Sequence, residues 1–307
     1  MRSRALCAAA LLGLGALVLS GCSGPASAEG PDKSDPHAPI TIATTSVGDD
    51  PSAENPADAL QELLSEETGR EVEIVDVPDY SAVVEALRNH HVDIGMMSGF
   101  PSALAVNTGE VDSLIAWPGS QEPVSTCLVL DESPLQSLED ITPETVVAFA
   151  DPASSSGYFM PVGMLHEAGL EKDKHYTPMM SGGHDMSNVA LKEGQVDVSC
   201  TSTIFPKRAG QGDPMFPFEK GETRSIGESG PMPVAVSMLA DQNLAEDKRE
   251  LLLEALPTVI SEDNGSRLST YVEATQGSEP ILEPSTDIFD PFVELAAVAD
   301  VDITDLG

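Results

Sequence analysis

Two stretches of this chain, residues 80–94 and 184–198, superpose without a gap: Tyr80 falls on His184, Leu87 on Leu191, Val92 on Val196 and Asp93 on Asp197. Each reads as an amphipathic helix, a short turn and the start of a β-branched strand. A repeated helix–strand unit predicts two similar α/β units, because each half must bury the same apolar stripe against its own sheet. It also places Tyr80 and His184 at equivalent positions, near the start of a helix that follows a strand.

The remaining pattern keeps that rhythm. Ile40-Thr41-Ile42-Ala43 is a strand; Asn55 and Pro56 form a helix start, Leu60, Leu63 and Leu64 its apolar face, and Gly69 its stop. Strands follow at Glu71–Val75 and Val92–Met97, and again at Val146–Phe149, Tyr176–Met180 and Val196–Cys200. With 307 residues and 41% hydrophobic content, the chain is long enough for two such units with real cores. The methionines at 96, 97, 179 and 180 lie in strand runs and are expected in the core.

Charge excludes several functions. The chain carries 15 Lys and Arg against 51 Asp and Glu, a net charge of −36, which repels nucleic acid and anionic membrane surfaces. Arg2 and Arg4, the apolar run Ala5–Leu19 and the ending Leu19-Ser20-Gly21-Cys22 form an export leader. That ending resembles the lipobox of bacterial lipoproteins, which implies cleavage of residues 1–21 and lipidation of Cys22. Residues 22–37 then read as a flexible tether, so the protein is expected outside the cytoplasm, anchored to the cell membrane by lipid and otherwise a soluble monomer. Cys127 and Cys200 remain; both sit in strand-like runs, and the sequence leaves open whether they pair or stay as buried thiols.

Sheets flanked by helices bind ligands beyond the carboxyl ends of their strands, where loops lead into helix N-termini. Three such junctions are visible: Asp79-Tyr80, Ser154-Ser155-Ser156-Gly157 and Gly182-Gly183-His184. Three hydroxyls beside the free N–H groups of a helix start make an uncharged cradle for an anion. No Gly-Lys-Ser/Thr follows, so this is not a P-loop. A serine hydrolase is disfavoured by the lack of a G-x-S-x-G elbow and of a Ser-x-x-Lys pair. No histidine pair has the spacing of a helical zinc site, no C-x-x-C occurs, and no Asp-x-Asp-x-Asp-Gly loop is present, so neither metal nor cofactor is expected.

These segments, Pro78-Asp79-Tyr80-Ser81-Ala82, Val92-Asp93-Ile94-Gly95, Asp151-Pro152-Ala153-Ser154-Ser155-Ser156-Gly157-Tyr158, Gly183-His184-Asp185 and Gly194–Val198, resemble the phosphonate-, phosphite- and phosphate-binding family of ABC-transporter solute-binding lipoproteins. The resemblance implies a two-lobed periplasmic-binding-protein-like fold of type II. Residues 38–124 and 232–307 would form lobe one, 125–231 lobe two, with crossing strands near Thr126–Leu130 and Pro233–Ser237. It implies ligand contacts from Tyr80, Ser98, Ser154, Ser155, Ser156 and His184. Where members that take an aminoalkylphosphonate place two carboxylates and an aromatic wall, this chain has Ile204, Met232 and Val124, which implies a compact or apolar ligand tail. The expected function is capture of a small phosphorus oxyanion for an ABC permease, with no chemistry performed. An extracytoplasmic sensor domain is the alternative, and a serine hydrolase a more distant one.

Overall fold

The computed structural model describes residues 38–45 and 55–299; Cys22, the leader and the tether lie outside the described residues. Strand β1 (Ile40–Thr45) precedes helix α1 (Pro56–Thr68), where the Asn55 side chain accepts the Ala57 N–H at 2.8 Å and Pro56 occupies the first turn. Next come β2 (Val72–Val77), α2 (Tyr80–Arg88), β3 (Ile94–Ser98), α3 (Gly99–Asn107) and β4 (Val111–Pro118). A second series follows: β5 (Ser125–Leu130), β6 (Val146–Phe149), α4 (Met160–Glu167), β7 (Thr177–Met180), α5 (His184–Lys192), β8 (Val198–Ser202) and β9 (Thr223–Glu228). The chain closes with β10 (Val234–Asp241), α6 (Glu246–Val259), the short helices α7 (Gly265–Leu268) and α8 (Thr270–Ala274), β11 (Ile281–Leu282) and α9 (Pro291–Val298).

The strands form two sheets, a six-stranded one in the order β11-β4-β10-β3-β1-β2 and a five-stranded one in the order β7-β6-β8-β5-β9. The expected α/β class with two sheets is what the chain adopts. In both sheets the helix-linked strands pair in parallel, β1 with β2 and β3, and β6 with β7 and β8. Strands arriving from the other sheet, β10 and β5, pair antiparallel with their neighbours. One apolar cluster runs from Ala43, Val83 and Phe100 in the first half to Phe159, Phe149 and Val147 in the second, so the halves share a core.

The repeated unit is real in three dimensions. Helices α2 and α5 each have nine residues, and both close on a bond from the second residue past the cap: His91 N–H to Ala86 O at 2.8 Å, Gln195 N–H to Ala190 O at 2.9 Å. The two aspartates then do the same job. Asp93 accepts the Thr41 N–H at 2.9 Å and Asp197 the Val146 N–H at 2.8 Å, each fastening the start of its strand to the parallel neighbour. Because these residues act as staples, β3 and β8 begin at Ile94 and Val198, two residues later than alternation alone suggests.

The expected crossing strands are corrected. Each of β5 and β10 lies wholly within one sheet, and the chain passes between sheets just outside them, through 119–124 and 229–233. The two passages run side by side: the Gly119 N–H donates to Pro233 O at 3.1 Å, and the Ser229 N–H to Ser125 O at 2.9 Å. A Cβ at Gly119 would sit 1.6 Å from the Met232 carbonyl oxygen, so no side chain fits there. Two further readings resolve. Cys127 and Cys200, opposite each other in the β5–β8 ladder, form a disulfide. Met96 and Met97 are buried, whereas Met180 is 43% exposed on the edge strand β7 and is not a core residue. Among the described residues, no helix is long and apolar enough to cross a membrane.

Candidate functional site

Between the two sheets lies a cleft of about 810 Å³. It opens where strands β1, β3 and β8 end, at Thr45, Ser98 and Ser202, and where the N-termini of α2 and α5 begin, at Tyr80 and His184. Seven of the nine sequence-selected residues line it: Tyr80, Ser98, Ser156 and His184 at one end, and Val124, Ile204 and Met232 on the wall. Ser98 and Ser202 occupy equivalent places in the repeated unit, so the internal echo extends to the cleft itself.

The four side chains at the donor end, Tyr80, Ser98, Ser156 and His184, are uncharged near neutral pH. Burial pushes the Tyr80 phenol above its ordinary range, against the opposing pull of hydrogen bonds with Ser98 and Thr45. His184 is pushed down to about 4 by burial, so near neutral pH its imidazole carries no charge. Its Nδ1 lies 2.8 Å from the Thr201 hydroxyl and its Nε2 3.5 Å from the Ser156 hydroxyl, while its ring packs against Phe205 with centroids 4.9 Å apart. Gly157 makes that approach possible: a Cβ there would come within 3.0 Å of His184 Cε1 and 2.6 Å of Ala150 Cβ.

Ser154 and Ser155 are placed elsewhere. The segment Ser155–Phe159 is a π-turn rather than an ordinary α-helical first turn, and the wider winding changes where each serine points. Ser154 is buried and caps its own turn, accepting the Gly157 N–H at 3.0 Å. Ser155 is fully buried against the other half. Its hydroxyl accepts the Phe100 N–H at 2.7 Å and donates to Ser98 Oγ at 2.9 Å, joining the π-turn to the N-terminus of α3. Phe100 and Phe159 stack directly behind this bridge.

Asp151 completes the junction. Its carboxylate accepts N–H groups from Ala153 at 2.6 Å and, across the halves, from Tyr80 at 3.3 Å. Burial first and the neighbouring Asp79 charge second raise its affinity for a proton, while these hydrogen bonds oppose the rise.

Sequence reasoning missed the polar far end of the cleft. Arg208, buried at 8% exposure, reaches from the second half to Thr270 at 3.1 Å and to Glu273, and pairs with Asp213 at 2.8 Å in its own half. Its guanidinium lies over the Phe205 ring at 5.4 Å. Glu122 and Glu262 are exposed at the rim. The sequence signal was available: Arg208 is one of only 15 basic residues and stands four positions after Ile204. Among the described residues no group of three or more His, Cys, Asp or Glu is placed to hold a metal.

Known proteins resemble this chain in sequence and in fold. Residues 42–282 match the family model described as ABC transporter, phosphonate, periplasmic substrate-binding protein. The phosphate-import protein PhnD of Mycolicibacterium smegmatis is 29% identical over 197 residues, 59% of this chain and 60% of that protein. The phosphonates-binding periplasmic protein of Escherichia coli is 25% identical over 146 residues, 46% of this chain and 43% of that one. Both matches thus span less than two thirds of the relatives' own lengths. In fold, the chain is similar to a binding-protein component of an ABC phosphonate transporter from Pseudomonas aeruginosa, with a TM-score of 0.70, 19% identity and coverage of 85% of this chain and 86% of that one. It is similar also to PhnD1 of Prochlorococcus marinus in complex with methylphosphonate, with a TM-score of 0.66, 15% identity and coverage of 85% and 98%. With the family model matched across both sheets and the cleft between them, the chain belongs to the periplasmic phosphonate substrate-binding proteins of ABC transporters.

Proposed function

We propose that this protein captures a small phosphorus oxyanion in the cleft and delivers it to an ABC permease, held at the membrane by a lipid on Cys22. Residues 38–124 with 232–307 act as one lobe and 125–231 as the other. The observation that carries the reading is the convergence of Tyr80, Ser98, Ser156 and His184, all neutral donors at strand ends and helix starts, on one cleft. Neutral donors and helix dipoles favour an oxyanion without a fixed cation. The ligand's tail then faces Val124, Ile204 and Met232. The nearby carboxylates of Asp213 and Glu273 are already paired with Arg208, so among the described residues an ammonium on the tail finds no free buried partner; Asp49, Asp50 and Glu54 lie outside the described residues.

The test is calorimetric titration with phosphate, phosphite, methylphosphonate, 2-aminoethylphosphonate and an alkanesulfonate. Phosphite or methylphosphonate should bind at least about tenfold tighter than the amino compound, or about 1.4 kcal/mol. Tighter binding of the amino compound overturns the tail assignment, and no binding of any phosphorus compound overturns the capture itself. His184→Ala should weaken binding of the best ligand by about 1.5–3 kcal/mol, the range for a hydrogen bond to a charged group, with an unchanged circular dichroism spectrum. For the anchor, Cys22→Ala should abolish palmitate incorporation and release the protein from the membrane fraction; labelling that persists in this variant refutes the lipid on Cys22.

A further inference from the structure

The His184 imidazole is neutral, so one ring nitrogen donates and the other accepts, and the side on which the proton sits decides what the cleft offers a ligand. Nε2 faces the cleft beside Ser156, and Nδ1 faces Thr201 at 2.8 Å. Thr201 is fully buried on β8, directly after Cys200, whose disulfide to Cys127 fixes the register of β8 on β5. Among the described residues, His184 Nδ1 is the one hydrogen-bond partner of the Thr201 hydroxyl.

Two arrangements satisfy the 2.8 Å contact. If Nδ1 carried the proton and donated to Thr201, the hydroxyl's own proton would be left in a buried site with no acceptor. A buried donor left unmade is costly, whereas an oxygen with a spare lone pair is tolerated far more readily. If instead the Thr201 hydroxyl donates to Nδ1, that donor is satisfied and the ring proton moves to Nε2, on the cleft side. The Phe205 ring packs on the same imidazole, with centroids 4.9 Å apart.

We propose that Thr201 is a positioning residue that holds His184 in the Nε2-protonated tautomer, so that a ligand oxygen meets a ready N–H donor rather than a lone pair. This rests on the capture reading above for its ligand but not for its tautomer. A site set in this way recognises an unprotonated oxygen and repels a neighbouring lone pair less than the alternative would. Thr201 never touches the ligand; it acts through His184.

The experiment is two-dimensional long-range ¹H–¹⁵N correlation on ligand-free protein labelled at histidine, with His184 assigned by its loss in His184→Ala. Wild type should show Nε2 protonated and Nδ1 bare. The near-isosteric Thr201→Val should lose that preference and bind methylphosphonate about tenfold more weakly, equivalent to about 1.4 kcal/mol. Thr201→Ser, which restores the hydroxyl, should recover both signals. A wild-type protein with the proton on Nδ1, or a Thr201→Val protein whose tautomer is unchanged, overturns the proposal. If the tautomer behaves as stated while wild type binds no phosphorus oxyanion, the positioning role stands and the capture reading fails.

Discussion

Asp93→Ala should lower the unfolding free energy by about 3–5 kcal/mol, the cost of leaving a buried charge without its partner. Lys248 and Asp93 face each other at 2.8 Å with side chains 3% and 4% exposed, and the same carboxylate holds the Thr41 N–H and hydroxyl. Removing it leaves the buried ammonium with the Pro39 carbonyl, 2.8 Å away, and no counter-charge from Asp93. Asp197 is the internal control. It makes the equivalent bond to the Val146 N–H but is exposed, so Asp197→Ala should cost only about 1 kcal/mol, one hydrogen bond. Lys248→Met placed on Asp93→Ala should recover part of the loss, because no charge is then left behind. Urea denaturation of the four proteins checks this, and equal costs for the two aspartates would falsify the assignment.

The second large effect is expected at the disulfide. Cys127 and Cys200 are 73 residues apart, and closing a loop of that length removes about 4 kcal/mol of entropy from the unfolded chain. Cys127→Ala with Cys200→Ala, or the wild type under strong reductant, should therefore unfold at a clearly lower denaturant concentration. Identical midpoints with and without the bond contradict this. Since Thr201 follows Cys200, the same variant should loosen the His184 tautomer preference before it abolishes folding.

What the sequence made legible follows the range over which each interaction acts. The α2–β3 and α5–β8 units were readable because a helix stripe, a turn and a strand are local, and because the same pattern appears twice. Tyr80 and His184 were found through that repetition. The cystines were not, since their pairing depends on β5 lying antiparallel to β8, a contact between segments with no local signature. Ser155 was read only as a ligand contact, and its bonds to Phe100 and Ser98 were not legible: three adjacent serines at a helix start look alike until the π-turn determines which lines the cleft. Arg208 escaped notice because its partners Thr270 and Glu273 come from a distant part of the chain.

The acidic rim at Glu122 and Glu262 bears on how fast the cleft can fill. Lys207 is exposed on the same cleft, but an anion approaching a chain of net charge −36 past Glu122 and Glu262 still climbs a repulsive potential before it reaches the uncharged donors inside. Added salt shortens the reach of that repulsion to about 8 Å at physiological ionic strength, while buried contacts are screened much less. Association of an oxyanion should therefore accelerate with salt and its dissociation should stay nearly constant. This is the reverse of the behaviour of a receptor that steers its ligand by opposite charge: selectivity rests with the interior, and the surface field acts only on the rate of arrival.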